Sequence, residues 1–409
     1  MSQINKEMSL MILLNELPEK NRSISEMDRY MLGRAAPAQV LSYLRLCPDY
    51  APTPLRRLPA LAASLGIGGL RIKDEGARLG LGSFKALGGA YAVIRIIAEM
   101  AERALGRPID PAMLMTPEVR RIAAGVTVGC ATDGNHGRSV AAGARLIGAR
   151  AVIFLHRGVS AEREAAIAAL GATTVRVEGS YDDSVAHALR VCSENGWPVV
   201  SDTSWPGYEA TPLRVMQGYT AMLHEVLDAA PAPPSHVFIQ AGVGGVAAAI
   251  AAHLSDVCGD AMPRIVVVEP DRAACLLESA RRGVAGPIPH GEPTLMAMLE
   301  CYEPSPVAWR ILARTAHAFM TVGEEDAAEA MRRLACPVGG DPAIVAGESG
   351  GVGLAALLRV ADDAEARRLL GLGADADVLL FNTEGATDPG IYRSITGIEP
   401  EALPMAARR

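Results

Sequence analysis

Short runs rich in alanine, valine and leucine alternate with longer amphipathic runs along most of this chain, and glycine-rich turns separate them. Such an alternation is typical of repeated strand–helix units. It is most regular in the middle of the chain, where it predicts strands at 127–131, 151–155, 173–177 and 198–201 and helices at 136–147, 161–170 and 182–195. We expect parallel strands there, joined by right-handed crossovers.

The same alternation continues on both sides of this central part. It predicts strands at 70–74, 236–240, 265–269 and 377–381 and helices at 85–105, 208–229 and 245–254. The proline-rich stretch 231–234 is a stiff break, after which the chain returns to the first lobe. The predicted fold class is therefore α/β with two lobes: a discontinuous large domain of residues 1–90 and 216–409, and a small mobile domain of residues 91–215.

Two stretches follow this pattern less well. Residues 1–48 contain helical patterns at 25–33 and 37–46, which we expect to pack on the outside of the main lobe or at a subunit contact. Residues 106–125 contain three prolines, and we predict a surface insertion there.

Composition and charge narrow the class of protein. Half of the 409 residues are apolar, which is enough for a large core in a soluble globular protein. The net charge is −7 and there is no long basic run, so we expect no nucleic-acid partner. The apolar run at 10–14 is too short to span a bilayer, and Lys6 and Glu7 before it do not fit a signal peptide. We therefore expect a cytoplasmic protein without membrane contact.

The cysteines and histidines do not indicate a metal site. Seven cysteines are scattered without a CxxC pair or zinc spacing, and the eight histidines include no HExxH pattern. In a cytoplasmic protein most of these thiols are expected to be reduced and buried.

Lys85 lies between a glycine-rich turn and the start of an apolar helix. Burial at such a place lowers the pKa of a lysine and makes the neutral amine available to condense with a carbonyl, which is Schiff-base chemistry. The preceding glycines allow a planar ligand to approach the backbone, and Phe84 offers a ring face to that ligand. The alternative interpretation is a lysine that extends along a helix start into solvent.

The loop of Gly242, Val243, Gly244 and Gly245 follows a predicted strand and opens an alanine-rich helix. Backbone N–H groups and the helix dipole at such a place can hold a phosphate. A dinucleotide-binding loop is the rival interpretation, but no strong ribose-binding acid stands in the expected place, since Asp260 lies in a turn and not at a strand end. A plain turn is the third.

Two further stretches place acidic residues at predicted strand ends. The loop of residues 132–137 joins a strand to a helix, where N–H groups can bind a carboxylate. Asp133 in this loop is unfavourable beside a bound carboxylate unless it has a chemical use, although it is also a preferred helix cap. Asp202 is expected to face the cleft between the lobes and hold or protonate a nitrogen, or else to cap the next turn.

Six stretches in this order resemble the fold-type II pyridoxal-phosphate (PLP) enzymes, and most closely the diaminopropionate ammonia-lyase family. They are Tyr50-Ala-Pro-Thr-Pro-Leu55, the Gly-Ser-Phe-Lys-Ala-Leu-Gly-Gly-Ala-Tyr around Lys85, the Ala-Thr-Asp-Gly-Asn-His-Gly-Arg that begins at Ala131, Asp202-Thr-Ser-Trp-Pro-Gly-Tyr208, Gly347-Glu-Ser-Gly350 and Asn382-Thr-Glu-Gly-Ala-Thr-Asp-Pro389. Each motif alone is weak, but the set in this order, from about residue 50 to 392, is specific.

The resemblance implies two doubly wound lobes with the active site in the cleft between them, and PLP as the cofactor. Asn135 is then expected at the 3′ oxygen of the cofactor, Glu348 near its ring and Thr383 at its pyridine nitrogen. The implied cofactor-binding residues are Phe84, Lys85, Asn135, Gly242, Val243, Gly244, Gly245, Glu348 and Thr383. The implied substrate-binding residues are Ser83, Thr132, Asp133, Gly134 and His136, and the catalytic residues are Lys85, Asp133 and Asp202.

The activity that the resemblance implies is elimination of ammonia from 2,3-diaminopropionate, which gives pyruvate and two ammonia molecules. A hydroxyl from Thr383 does not force the ring nitrogen to be protonated, which favours prompt expulsion of a β leaving group. Lys85 is expected to remove the Cα proton on one face and Asp133 on the other, so that one site processes D and L substrates.

Other functions remain open at this point. A serine, threonine or hydroxyaspartate dehydratase of the same fold differs only in the leaving group. A NAD-binding oxidoreductase would use the loop at Gly242, and a PLP-binding protein without catalysis would lack turnover. The family implies a homodimer.

The chain departs from the family pattern at two positions. Gly82 stands where asparagine or a similar polar residue often occurs, and Tyr302 stands where glycine is expected, so that Tyr302 is predicted to reshape the substrate pocket. Cys275 and Cys301 flank a glycine- and proline-rich stretch, 283–293, that is expected at the active-site entrance. We expect two free thiols there, with a redox-sensitive disulfide as the alternative.

Overall fold

The computed structural model describes residues 11–132, 134–230 and 232–403. The strands in these residues are β1 Ile12–Leu14, β2 Leu55–Arg57, β3 Gly69–Asp74, β4 Thr127–Ala131, β5 Arg150–His156, β6 Thr173–Val177, β7 His236–Gln240, β8 Arg264–Pro270, β9 Ala318–Val322 and β10 Asp377–Asn382. The helices are α1 Glu26–Leu32, α2 Ala36–Leu44, α3 Pro59–Ser64, α4 Lys85–Leu105, α5 Pro117–Ala124, α6 Asn135–Ile147, α7 Ala161–Ala168, α8 Tyr181–Asn195, α9 Ala210–Ala229, α10 Gly245–Cys258, α11 Cys275–Arg282, α12 Pro306–Thr315, α13 Glu324–Ala335, α14 Val352–Ala361, α15 Ala364–Leu370 and α16 Pro389–Thr396.

The larger of the two sheets has seven strands, in the order β1-β9-β8-β7-β10-β3-β2. Its inner strands pair in parallel, and only the edge strands β1 and β2 are antiparallel. Every residue of β7 and β9 is buried, which explains their nearly continuous apolar sequence. We call the part of the chain built on this sheet the large lobe.

A separate three-stranded parallel sheet, in the order β4-β5-β6, forms the centre of a second part, which we call the small lobe. Helices α6, α7 and α8 connect and cover these strands, as the alternation predicts. The predicted strand at 198–201 is wrong. Only Val199 forms a bridge, to Gly129, because Pro198 has no N–H with which to extend a ladder.

Helix α4 joins the lobes, since it packs on α6 of the small lobe and on α9. The approach to α9 is close enough to require glycine. A Cβ on Gly88 would lie 2.5 Å from Tyr219, and a Cβ on Gly218 would lie 2.8 Å from the Cα of Gly88. These glycines let two long helices cross beneath the residues that begin α4.

Residues 106–125 differ from the predicted surface insertion. They contain α5, and Leu114 and Val119 are completely buried in the main core. Apolar side chains therefore attach this segment to α4, although its prolines suggested an exposed loop. Within the described residues, no helix is long and apolar enough to cross a membrane.

Candidate active site

Lys85 begins α4, and its amine faces an acid from the segment that follows α8. The Nζ atom lies 2.9 Å from Oδ2 of Asp202, and the two side chains are 22% and 19% exposed. Burial by itself favours the neutral acid, but the charge of Lys85, a smaller contribution from His136 and the hydrogen bonds to the carboxylate together outweigh it and lower the pKa of Asp202 well below its ordinary value. The sequence prediction that both residues belong to one site agrees with this contact.

The turn before Lys85 is held in place by a buried ion cluster. Arg78 is fully buried, and its guanidinium donates to Glu75 and Glu225 over 2.7–2.9 Å. Lys73 donates to the same Glu225. Because both cations are paired, the cluster fixes the turn without leaving a buried charge unmatched.

Gly82 lies inside this turn and has φ +79°, a conformation that L side chains rarely adopt. Asparagine is one of the few other residues that tolerate it, so glycine fits this position without strain although the chain departs from the family pattern here. The Gly82 carbonyl accepts from the N–H of Gly385 at 3.0 Å, so this turn also contacts the chain after β10.

The loop between β4 and α6 contains the residues expected at the substrate carboxylate. The Thr132 hydroxyl accepts from the N–H groups of Gly134 and Gly137 at 3.1 and 3.2 Å, which shapes the turn. Asp133 lies outside the described residues. Ser83 is buried, and its hydroxyl accepts from the Lys85 N–H at 3.3 Å.

His136 in the same loop has an internal partner. Its Nε2 lies 3.0 Å from the Val200 carbonyl, and burial lowers its pKa, so the ring is neutral and donates from Nε2. The side chain therefore anchors the loop to the segment before Asp202. The direct contact with substrate that the family resemblance implies for His136 stays a prediction.

The loop 242–245 connects β7 to the N-terminus of α10. Within the described residues, no oxygen accepts from the N–H groups of Gly242, Val243, Gly244 or Gly245. A Cβ on Gly245 would lie 3.8 Å from the carbonyl oxygen of Asp202, so the loop borders the Lys85 site. Free N–H groups at a helix start suit an anion such as a phosphate.

Side chains pack closely against the side of this loop that faces the protein interior. A Cβ on Gly244 would lie 3.1–3.2 Å from Ala308, Leu276 and Leu312, and a Cβ on Gly242 would lie 2.8 Å from the sulfur of Cys301. Glycine is thus required by packing behind the loop, and not only by a ligand in front of it.

Cys275 also lies beside this loop, since its sulfur is 3.7 Å from the Gly242 carbonyl. Cys275 is a free thiol, in agreement with the simpler of the two expectations for this residue. Burial raises the pKa of Cys275 far above its ordinary value, which makes its thiol unreactive.

Thr383 follows β10, and its hydroxyl is held by Gln240 at the end of the neighbouring strand. The Gln240 Nε2 donates to Thr383 Oγ1 at 2.9 Å and also faces the carbonyls of Ser349, Gly350 and Phe381 at 2.6–3.2 Å. Four oxygens around one nitrogen fix the orientation of the amide. Sequence reasoning missed Gln240, although it directly precedes the glycine loop.

Two buried glutamates from the large lobe lie beside Asn135. Glu384 Oε2 accepts from Asn135 Nδ2 at 2.6 Å, and Glu384 and Glu348 are 2% and 1% exposed. Burial, and then the charge of Glu348, raise the pKa of Glu384 to about 8. Burial also raises the pKa of Glu348, despite Arg163 at 3.9 Å. Sequence reasoning included Glu384 in a motif but gave it no role.

A cavity of about 450 Å³ opens beside these residues, between α6 and α7 of the small lobe and the start of α16. Asn135, Arg138 and Arg163 line one side, and Thr387 and Asp388 line the other. The cavity gives a small molecule a path to the cleft between the lobes.

Comparison with known proteins identifies the family. The model of the family described as pyridoxal-phosphate dependent enzymes matches residues 46–383. The chain belongs to this family. Its cofactor is therefore PLP, and the dinucleotide interpretation of the Gly242 loop is wrong.

Individual relatives are diaminopropionate ammonia-lyases. The chain is 38% identical over 353 residues to the enzyme named so from Escherichia coli, which covers 85% of this chain and 87% of that protein. It is 37% identical over 367 residues to the one from Salmonella typhimurium, covering 87% and 91%. The resemblance found in the sequence is confirmed.

Solved structures agree with this. The Escherichia coli diaminopropionate ammonia-lyase in complex with an aminoacrylate–PLP azomethine reaction intermediate matches with a TM-score of 0.84 and 35% identity, covering 95% of this chain and 96% of that one. The same enzyme in complex with D-serine matches with a TM-score of 0.84 and 34% identity, over the same shares of both chains. The expected fold-type II architecture is confirmed.

The residues of this PLP-dependent enzyme fit the cofactor. The loop 242–245 offers unpaired N–H groups for the phosphate, Lys85 offers the amine and Thr383 offers a hydroxyl. Lys85 and Thr383 lie near each other, because the Phe84 N–H donates to the Thr383 carbonyl at 2.9 Å, and the loop borders Asp202 through Gly245. The fit therefore rests on N–H groups, an amine and a hydroxyl that the folded chain already presents.

The expectation for Phe84 needs correction. The Phe84 ring is 9% exposed and packs on Tyr219 in the core, with ring centroids 4.8 Å apart, so it does not offer an open face to the cofactor. The Tyr302 ring stacks on His290 at 4.1 Å, and its hydroxyl donates to Glu300 at 2.9 Å. Tyr302 therefore contacts the segment 283–293, and its effect on the substrate pocket stays a prediction.

Proposed function

We propose that this enzyme eliminates ammonia from 2,3-diaminopropionate. Water completes the reaction, and the products are pyruvate and two ammonia molecules. The observation that carries the proposal is the Lys85–Asp202 pair beside the free N–H groups of the Gly242 loop, in a chain that matches diaminopropionate ammonia-lyases over most of its length.

Bound PLP would supply an electron sink for the pair of electrons left when the Cα proton is removed. The loop 242–245 would hold its phosphate, and Thr383, held by Gln240, would face its ring nitrogen. Asn135 would contact its 3′ oxygen. Each of these groups acts by orienting the cofactor and not by moving a proton.

Lys85 is the proposed base for the Cα proton. Asp202 keeps its negative charge to low pH, so it stabilises the ammonium form of Lys85 that results from proton removal. The proton held on Nζ then has a short path to a nitrogen that leaves from Cβ, since the β-amino group departs only as neutral ammonia.

Asp133 is the proposed base on the opposite face. Its neighbours Thr132 and Gly134 form the tight turn before α6, in the loop that the family resemblance assigns to the substrate carboxylate, which supports this proposal. A second base on that face would let the enzyme use both enantiomers of the substrate.

β-Hydroxy amino acids are the second candidate substrates, because the related Escherichia coli structure was solved in complex with D-serine. The leaving group decides between the two. A β-ammonium group leaves directly as neutral ammonia, whereas a neutral β-amino group or a hydroxyl must receive a proton, here from Lys85, before it leaves.

We further propose that the enzyme works as a cytoplasmic homodimer, as the family resemblance implies. The domain limits proposed for it are residues 1–90 with 216–409, and 91–215. Light scattering at working concentration tests the dimer, and a monomer there contradicts it.

Product analysis tests the proposed activity. Pyruvate and ammonia are measured with D- and L-diaminopropionate and with D- and L-serine, using wild type and Lys85→Ala. We expect pyruvate from diaminopropionate in a ratio of one to two ammonia, much slower turnover of serine, and no product from Lys85→Ala. Faster release of pyruvate from serine would make the enzyme a dehydratase.

Borohydride reduction separates catalysis from simple binding. PLP should become fixed to wild type and not to Lys85→Ala, while both proteins keep the same circular dichroism spectrum. PLP fixed to wild type without release of pyruvate would indicate a binding protein, and PLP fixed to the variant would remove Lys85 from its role.

A further inference from the structure

The two buried glutamates beside Asn135 have no role in the reaction described so far. Asn135 begins α6 in the small lobe and Glu384 follows β10 in the large lobe, so their 2.6 Å hydrogen bond joins the lobes. An amide nitrogen has two hydrogens, and the one given to Glu384 fixes the direction of the other. Glu384 therefore orients the Asn135 amide for its contact in the cleft.

The backbone around Glu384 leaves its carboxyl no room to move. A Cβ on Gly347 would lie 3.3 Å from Glu384 Oε1, and a Cβ on Gly350 would lie 2.3 Å from the Glu384 carbonyl oxygen. The turn that contains Glu348 thus packs directly on Glu384 because two glycines lack side chains. This close packing brings the two acids together.

The oxygens of this pair are incompletely satisfied. Among the described residues, Glu384 Oε1 and both carboxyl oxygens of Glu348 are buried without a hydrogen-bond partner. Unmatched carboxylate oxygens in an apolar environment are costly, and two adjacent buried acids do not both ionise. A proton held between them removes one charge and supplies a donor.

The charged groups around the pair come from both lobes. They are Lys85 on α4, Arg138 on α6, Arg163 on α7 and Asp388 at the start of α16. Arg163 is 3.9 Å from Glu348 Oε1, too far for a hydrogen bond, and only partly offsets its charge.

We propose that Glu384 is a positioning residue for Asn135, and that Glu384 and Glu348 share a single proton that limits the pair to one negative charge in the working enzyme. The role assigned to Asn135 at the 3′ oxygen rests on the proposed function. Loss of the shared proton would place a second negative charge beside the cofactor's phenolic oxygen and weaken the hold of Asn135 on it.

The test is a pH titration of the visible absorbance of bound PLP in the holoenzyme. Wild type should show a transition near pH 8, the pKa to which burial and Glu348 raise Glu384. Glu384→Gln should lose the transition, because glutamine still accepts from Asn135 but does not titrate. Glu348→Gln should keep it at a lower pH, because the neighbouring charge is gone. Glu178→Gln, at an exposed position, is the matched control and should behave as wild type.

Affinity for PLP provides the second readout. Glu384→Ala should bind PLP about tenfold more weakly than wild type, the cost of one buried hydrogen bond, and Glu384→Gln should restore the affinity. An unchanged transition in Glu384→Gln, or no transition in wild type, overturns the proposal. The same applies if glutamine and alanine weaken PLP binding equally. If the titration behaves as expected but diaminopropionate gives no pyruvate, the proposed function is refuted, whereas the proposed sharing of a proton by Glu384 and Glu348 is supported.

Discussion

Replacing Gly244 by alanine is expected to destabilise the protein itself, and not only its hold on the cofactor. The sequence suggests that a side chain in this loop would enter the space for phosphate. The structure directs the Cβ of Gly244 the other way, toward Ala308, Leu276 and Leu312 at 3.1–3.2 Å. The backbone there has φ +96°, which favours glycine.

The expected change in the free energy of unfolding is the sum of two destabilising contributions and one stabilising contribution. A left-handed conformation costs a non-glycine residue about 1–2 kcal/mol, and forcing a methyl group into a packed site costs about 1–3 kcal/mol. The lower entropy of the unfolded chain returns about 0.4–1 kcal/mol. The free energy of unfolding should therefore fall by about 1–5 kcal/mol.

Gly245→Ala is the matched control in the next position. Its Cβ would meet only Met216 at 3.7 Å and the Asp202 carbonyl at 3.8 Å, which are ordinary contacts. Its free energy of unfolding should change by less than about 1 kcal/mol. Both are measured by urea unfolding of the protein without PLP, so that cofactor affinity does not contribute. Equal stability of the two variants would refute this account of the loop.

Three further outcomes are expected. Asp202→Asn should lower kcat at least about tenfold, because it removes the charge that stabilises protonated Lys85. The control Asp228→Asn, at an exposed position, should leave kcat unchanged. Equal kcat values for the two variants would assign Asp202 to turn capping. Asp133→Asn should slow turnover of one enantiomer of diaminopropionate, expected to be D, far more than the other, and equal slowing would make it a binding or capping residue. Thiol titration of the denatured, unreduced protein should detect all seven cysteines, and a count of five would show a disulfide.

The local sequence determined the strands and helices around the site. The predicted strand 127–131 and helix 85–105 match β4 and α4, because apolar runs between glycine turns are set by residues close in sequence. The glycine loop at the start of α10 and the lysine at the start of α4 were recognised for the same reason. The strand at 198–201 failed because Pro198 has no N–H with which to extend the single bridge between Val199 and Gly129.

Tertiary structure alone decided which side chains meet. Lys85 and Asp202 are 117 positions apart, and Asn135 and Glu384 are 249 apart, so no local pattern connects either pair. The direction of the Gly244 Cβ and the burial of the Phe84 ring also depend on helices that pack from distant parts of the chain. The raised pKa of Glu384 has the same origin, because burial and a second acid brought beside it by folding change the free energy of its charged form.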